Sequence, residues 1–398
     1  MTEAYYLFVI ILKSLFYLTA LVLLSVSVSG FRRKVTEFFC GRPLPQQTAN
    51  IFKPLAIFIK TLFQENSLSP KADNPIARLA PAFSAVSVLL VFAVIPFGDL
   101  YLNLSDLHPG LARFPVHVLA VLENGTAFLI LGLLLVSLTF FLTVYLFSSR
   151  KSYFTPGRDI AKILIFNLNF ILITLSLLVF TGSLNLPEFV YYQAAHGWFI
   201  LRQPLAFLLL FIIFYSSGGL LISERTGELL QHNYSVENEL GAAGGLILKF
   251  AQNLRFLIAG SLITLFFLGG WLEPFPDWNG WDIFARLPGL VILWPLIWFF
   301  LKTFIVLFVF IWLELTFPAP GDKQTVFINY KIILPFTVAN LFLNAFVISN
   351  RIPFYPGFFL QSGILVLFLL FLTRTLTVDY RSLVPKFILP RGRGREHD

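Results

Sequence analysis

The sequence predicts an all-α fold: a polytopic transmembrane helical bundle of about nine spans, with an amphipathic surface helix in the first cytoplasmic loop. Three observations predict it. Of 398 residues, 57% are apolar and only 13% charged, against roughly 25% charged in soluble domains. Several apolar runs exceed the roughly 20 residues a helix needs to cross about 30 Å of hydrocarbon. Lys and Arg gather on alternate loops, the asymmetry that orients membrane helices.

Taken in chain order, the spans fall near 5–29, 77–97, 119–147, 160–181, 200–222, 246–270, 289–313, 331–349 and 357–374. The first follows Glu3 rather than a basic stretch and is too long for a signal-peptide core, so it reads as a retained helix. Loop 30–76 carries Arg32, Arg33, Lys34, Arg42, Lys53, Lys60 and Lys71, and loop 148–159 carries Arg150, Lys151 and Arg158. The end of the chain adds Arg381, Lys386, Arg391, Arg393 and Arg395. These segments are therefore expected on the cytoplasmic face. The division is a single transmembrane domain, 1–375, and a basic cytoplasmic tail, 376–398. The opposite loops hold interface aromatics, His196-Gly197-Trp198 and Trp271, Phe275, Trp278 and Trp281.

Two cytoplasmic loops depart from plain connections. In loop 30–76, Ile51, Phe52, Leu55, Phe58, Ile59, Leu62 and Phe63 recur at helical spacing opposite Lys53 and Lys60. This is a surface helix, either an interfacial anchor or a lid over a cavity open to the bilayer. Loop 223–245 sets Glu224, Glu228, Glu237 and Glu239 against Arg225 alone. Such a cluster is either a solvated face or a carboxylate relay toward the membrane interior.

Charges inside spans are few: Lys302 near the middle of the seventh, and Lys249 and Arg255 in the sixth. At that depth Lys302 must face the bundle interior, with a carboxylate, backbone carbonyls or water as partner, or else become neutral. Asn167 and Asn169 in span four suit interhelical hydrogen bonding. The single cysteine, Cys40, excludes a disulfide within the chain, and five scattered histidines offer no metal-ligand spacing. The formal charge of +8 resides in short loops and the tail, so the surface partner is membrane lipid and no nucleic acid is expected.

In order along the chain stand Pro54-Leu55-Ala56, Lys60, Phe63 to Glu65, Ala72-Asp73, Leu79-Ala80-Pro81 and Ile95-Pro96-Phe97-Gly98. Gly182-Ser183-Leu184-Asn185-Leu186, His196-Gly197-Trp198, Leu268-Gly269-Gly270-Trp271, Leu301-Lys302, Ile311-Trp312, Tyr330-Lys331 and Leu334-Pro335 follow. Together these strings resemble the membrane-arm family of respiratory complex I (NADH-quinone oxidoreductase) that is called the H subunit in bacteria and the first subunit in mitochondria.

The resemblance implies a bundle around a quinone chamber whose mouth lies beside the surface helix. It implies an acidic loop between spans five and six that leads charge toward antiporter-like subunits. On this footing the chamber would involve Arg42, Pro43, Lys53, Pro54, Lys60, Phe63, Glu65 and Asp73, and the charge path Glu224, Glu228, Glu239, Asn167 and Lys302. Quinone would be the substrate, with no covalent cofactor and no metal in this chain. Partner subunits would carry the iron–sulfur clusters, in a bacterial cytoplasmic membrane.

The chain departs from the family at its charged positions. The family's Gly-Pro-Asn-Arg-Val-Gly-Pro string is here Arg42 to Thr48, with one proline kept. A family carboxylate at the end of span one is replaced by Gly30, and an aspartate by Ile57. Intramembrane acids correspond to Leu134, Asn167 and Ser217, and a family arginine after Ile-Trp is Glu314. Two functions follow. One is a membrane-arm subunit that forms part of the quinone chamber and couples quinone reduction to proton translocation. The other is a non-conducting structural paralogue that docks the peripheral and antiporter-like subunits without binding quinone. An independent transporter would carry an inverted repeat and broken helices, neither of which is legible here.

Overall fold

The protein is described by a computed structural model covering residues 2–41, 56, 59–61, 63, 75–98, 101–102, 114–115, 124–147, 156–216, 241–274, 288–317 and 322–383. Its helices are α1 (Thr2–Phe39), α2 (Pro75–Val94), α3 (Gly125–Phe147), α4 (Pro156–Thr181), α5 (Leu186–His196) and α6 (Phe199–Arg202). They continue as α7 (Pro204–Ser216), α8 (Gly241–Phe267), α9 (Pro288–Thr316), α10 (Asp322–Phe327), α11 (Leu334–Ser349) and α12 (Phe354–Leu383). Tyr101–Leu102 pairs antiparallel with Phe114–Pro115 in a two-residue ladder, and the other regular elements among the described residues are helical.

The apolar runs overlap described helices, with 200–222 divided between α6 and α7 and 331–349 between Ile328–Ile333 and α11. Six described helices are long and apolar enough to cross a membrane, and two shorter apolar helices span Arg78–Val94 and Pro204–Ser216. The chain is an integral membrane protein. Large apolar side chains such as Leu131, Phe342, Leu367 and Leu370 point outward, which water would penalise and hydrocarbon does not.

Helix α8 is the hub. It packs against α1, α2, α7 and α9, while α2 also packs on α3, and α4 on α11. Small residues permit the closest approaches. A Cβ on Gly132 would stand 2.6 Å from Val91 Cγ2, and one on Gly260 2.8 Å from Leu307 Cδ2, so α3 meets α2 and α8 meets α9 nearly backbone to side chain.

Between spans four and five, where the sequence predicts a loop, the structure places the amphipathic helix α5. Pro187 sits in its first turn, where a missing N–H costs nothing, and Leu186, Phe189, Val190 and Gln193 are buried. Before α11, Ile328–Ile333 forms a π-helical stretch. Pro335 supplies no N–H to the ladder, and Leu334 N donates instead to the carbonyl of Asn329, five residues back.

Candidate functional site

Among the described residues, several polar groups interrupt the apolar bundle, including Arg255, buried with its guanidinium 3.7 Å from the Phe140 ring; three places bear on the expected site. The first lies at the end of the bundle from which loop 42–74 departs. Arg32 on α1 donates from Nη2 to both carboxylate oxygens of Glu314 on α9, at 3.0 Å each. Its guanidinium lies 5.6 Å from the Phe256 ring of α8. Next to it, Arg33 pairs with Glu37 at 3.3 Å. Phe31 meets Phe304 edge-on, and Phe39 meets Phe308, so the ion pair is seated on aromatic packing between α1 and α9. Here the base is on span one and the acid on span seven, and the two bind each other.

Of the residues expected around the chamber mouth, Lys60 and Phe63 are described. Ala56, Ile59, Lys60 and Thr61 are helical, Phe63 N–H donates to the Lys60 carbonyl at 3.3 Å, and Phe63 is 86% exposed. Arg42, Pro43, Lys53, Pro54, Glu65 and Asp73 lie outside the described residues, as do Glu224, Glu228 and Glu239.

The second place is a buried stripe of neutral polar groups. Asn329, Thr337, Asn340 and Asn344 recur on one face of the π-helical stretch and α11, all buried, over roughly 22 Å at 1.5 Å rise per residue. Asn329 Oδ1 accepts from Ser216 Oγ (3.0 Å), and its carbonyl accepts from Asn169 Nδ2 (3.1 Å). Thr337 Oγ1 donates to Asn169 Oδ1 (3.3 Å), and Asn340 Nδ2 to Ser176 Oγ (3.0 Å). At the far end Gln361 Nε2 donates to Asn344 Oδ1. Asn167 is not part of this set. Its Nδ2 turns back to its own helix at Ile163 O, 2.8 Å away. The structure thus separates two asparagines that are alike in sequence: Asn169 joins helices and Asn167 does not.

The third place surrounds Lys302. Its Nζ is held by the carbonyls of Leu268 (2.8 Å), Gly270 (3.2 Å) and Leu272, just beyond the C-terminus of α8, and stands 4.9 Å from the Trp198 ring. An ammonium has three donors, and three carbonyls take them at the negative end of a helix dipole. Gly269 and Gly270 make the turn possible with φ of +72° and +53°. Gln193 completes the knot. Its Nε2 donates to Phe189 O and Leu265 O, and its Oε1 accepts from Phe199 N–H and Gly269 N–H, all within 3.0–3.2 Å. Gln193 was not among the residues expected from the sequence, although a Gln on the apolar face of an amphipathic helix is a signal for a satisfied interhelical amide.

Lys302 and Asn167 therefore do not meet. Asn167 lies about three turns into α4 from loop 148–159, whereas Lys302 grips the turn at the other end of α8. Among the described residues no three His, Cys, Asp or Glu side chains group as metal ligands. The described polar groups inside the bundle are amides, hydroxyls and cations held by backbone or aromatic partners, suited to fixing helices and ordering water rather than to bond-making chemistry.

The fold and these places define a polytopic α-helical membrane protein whose buried polar groups tie its helices together. The profile of the NADH dehydrogenase family matches residues 12–345, and the chain belongs to that family, which comprises the first, or H, subunit of complex I. It is a divergent member. It is 28% identical over 344 residues to the H subunit of NADH-quinone oxidoreductase from Bacillus cytotoxicus, covering 82% of this chain and 92% of that one. The same protein of Bacillus mycoides is 29% identical and that of Bacillus thuringiensis 28%, over the same shares.

Proposed function

We propose that this chain is a membrane-arm subunit of a complex I-like quinone oxidoreductase, forming part of the quinone chamber and coupling quinone reduction to proton translocation. The observation that carries this reading is the near end-to-end likeness to proteins named as the H subunit of NADH-quinone oxidoreductase, 92% of whose length is matched. The Arg32–Glu314 pair supports it by fixing α1 to α9 where the surface-helix loop leaves the bundle. Arg42, Pro43, Lys53, Pro54, Lys60, Phe63, Glu65 and Asp73 would border the chamber. Glu224, Glu228 and Glu239 would carry the charge path, in a bacterial cytoplasmic membrane with the C-terminal tail on the cytoplasmic face. Asn167 does not titrate and would serve that path only by ordering water. Electron carriers would belong to iron–sulfur partner subunits, and antiporter-like subunits would receive the charge.

A second reading, the non-conducting paralogue that docks partner subunits without quinone, is favoured by the neutral character of the buried polar stripe and by Leu134 in place of an acid. One preparation separates the two. The tagged protein is purified from mild-detergent membranes, co-purifying proteins are identified by mass spectrometry, and quinones are extracted. Iron–sulfur and antiporter-like partners with quinone support the first reading. The same partners without quinone support the second, and neither survives if no such partner is recovered.

A further inference from the structure

At the end of the bundle opposite Arg32 and Glu314, between α4, α6, α11 and α12, lies a pocket lined by Phe180, Arg202, Asn344, Val347, Phe358 and Gln361. Its volume is about 50 Å³, where a single water needs roughly 10–15 Å³. Asn344 and Gln361 are 0% and 2% exposed. They bond to each other through one N–H and one carbonyl, which leaves Asn344 Nδ2 and Gln361 Oε1 without a hydrogen-bond partner. Exchanging the O and N of both amides keeps one orphan donor and one orphan acceptor. An anion would satisfy only the donor and a cation only the acceptor. A neutral molecule that accepts and donates at once, small enough for the space, satisfies both, and that is water.

Beyond the pocket lining, Asn340 Oδ1 also has no hydrogen-bond partner, one turn deeper and roughly 6 Å along the helix. Both amide atoms of Gln203, next to Arg202, are likewise buried without one. Leaving such atoms dry would cost about 1–3 kcal/mol each. Deeper still, Thr337, Asn169, Asn329 and Ser216 satisfy one another directly, and this network separates the orphans near the pocket from Asn167 Oδ1, another buried atom without a hydrogen-bond partner.

We propose that this pocket is a water-filled inlet, open at the end of the bundle opposite the Arg32–Glu314 pair, that reaches Asn344 and Asn340 and closes at the Asn169–Asn329 network. With amides and hydroxyls along it, the inlet hydrates the α4–α11–α12 interface and supplies no titrating group of its own. The assignment rests on this chain's own side chains and holds whether or not quinone is bound elsewhere.

A high-resolution density map of the protein in its native assembly tests it. Ordered water within hydrogen-bond reach of both the Asn344 and the Gln361 amide is the expected result, and a dry pocket or one filled by an acyl chain overturns the proposal. A second measurement tests access without a map, using silver ion, a thiol reagent of nearly water's size. In a Cys40→Ser background, Asn344→Cys in intact membranes should be protected by silver ion from later maleimide labelling by several-fold, while Leu177→Cys, in the apolar core, should not. Equal labelling of Asn344→Cys with and without silver ion would refute the inlet.

Discussion

Arg32 and Glu314 join α1 to α9 through a partly buried ion pair. A partly buried ion pair is worth less for its attraction than for what its loss leaves behind, an uncompensated charge against apolar surface. Arg32→Glu places two carboxylates together and should lower the thermal midpoint of the assembled protein, with a loss of about 2 kcal/mol from the missing charged hydrogen bonds. The double variant Arg32→Glu with Glu314→Arg should recover most of it, and a double variant no better than the single would show that the pair is incidental. Lys302→Met carries a different expectation. Three carbonyls beyond α8 lose their donor, at about 1–3 kcal/mol for an unsatisfied acceptor, so assembled yield and melting temperature should fall together. If the variant instead assembles normally and loses only proton translocation, Lys302 belongs to the charge path and not to the helix end.

At the level of elements, the knot around α5, α6 and the end of α8 is rigid because backbone conformation and side-chain packing agree there. Gly269 at φ +72° has Trp198 Nε1 2.9 Å from where a Cβ would stand. Gly269→Ala therefore meets both left-handed backbone strain, about 1 kcal/mol, and a clash with the ring that faces Lys302. The expected outcome is a red-shifted, more exposed tryptophan emission and a lower melting temperature, and an unchanged spectrum would mean that the ring is held by other contacts. The spans themselves were legible in the sequence because an apolar run of sufficient length has only one way to satisfy its backbone in lipid. Helix α5 was not. Eleven residues that include Glu188, Gln193 and His196 fall below any span threshold, and their burial is set by α8, with which only the folded chain brings them into contact.

For the whole molecule, the chain matches the family over residues 12–345, while the resemblance implies acids at several positions that are neutral here. Neutral residues at Leu134 and Asn167 remove the desolvation penalty of carboxylates held in lipid, so the frame is no harder to hold without them. On the proposed function, coupling would depend on the acids of loop 223–245. Glu239→Gln should reduce proton translocation per quinone reduced, measured in sealed vesicles, with assembly unaffected. An unchanged ratio would remove Glu239 from the path and favour the docking reading. The chamber residues are proposed only through family resemblance. Arg42, Lys53 and Asp73 form no spacing that by itself distinguishes a ligand wall from a solvated loop, because quinone is recognised by shape and a few polar contacts.

The sequence by itself determined that the chain is an apolar helical bundle that spans a membrane repeatedly and which family it belongs to, since these depend on local apolar length, loop charge and ordered strings. Tertiary structure alone decided that Arg32 finds Glu314, that Lys302 ends a helix by filling three carbonyls, that Asn169 bridges helices while Asn167 folds back, and that the half-satisfied amides of Asn344 and Gln361 meet at one small pocket. A hydrogen bond depends on distance and angle to a partner far away in sequence, 282 residues for Arg32 and Glu314, and no local pattern records which partner that is.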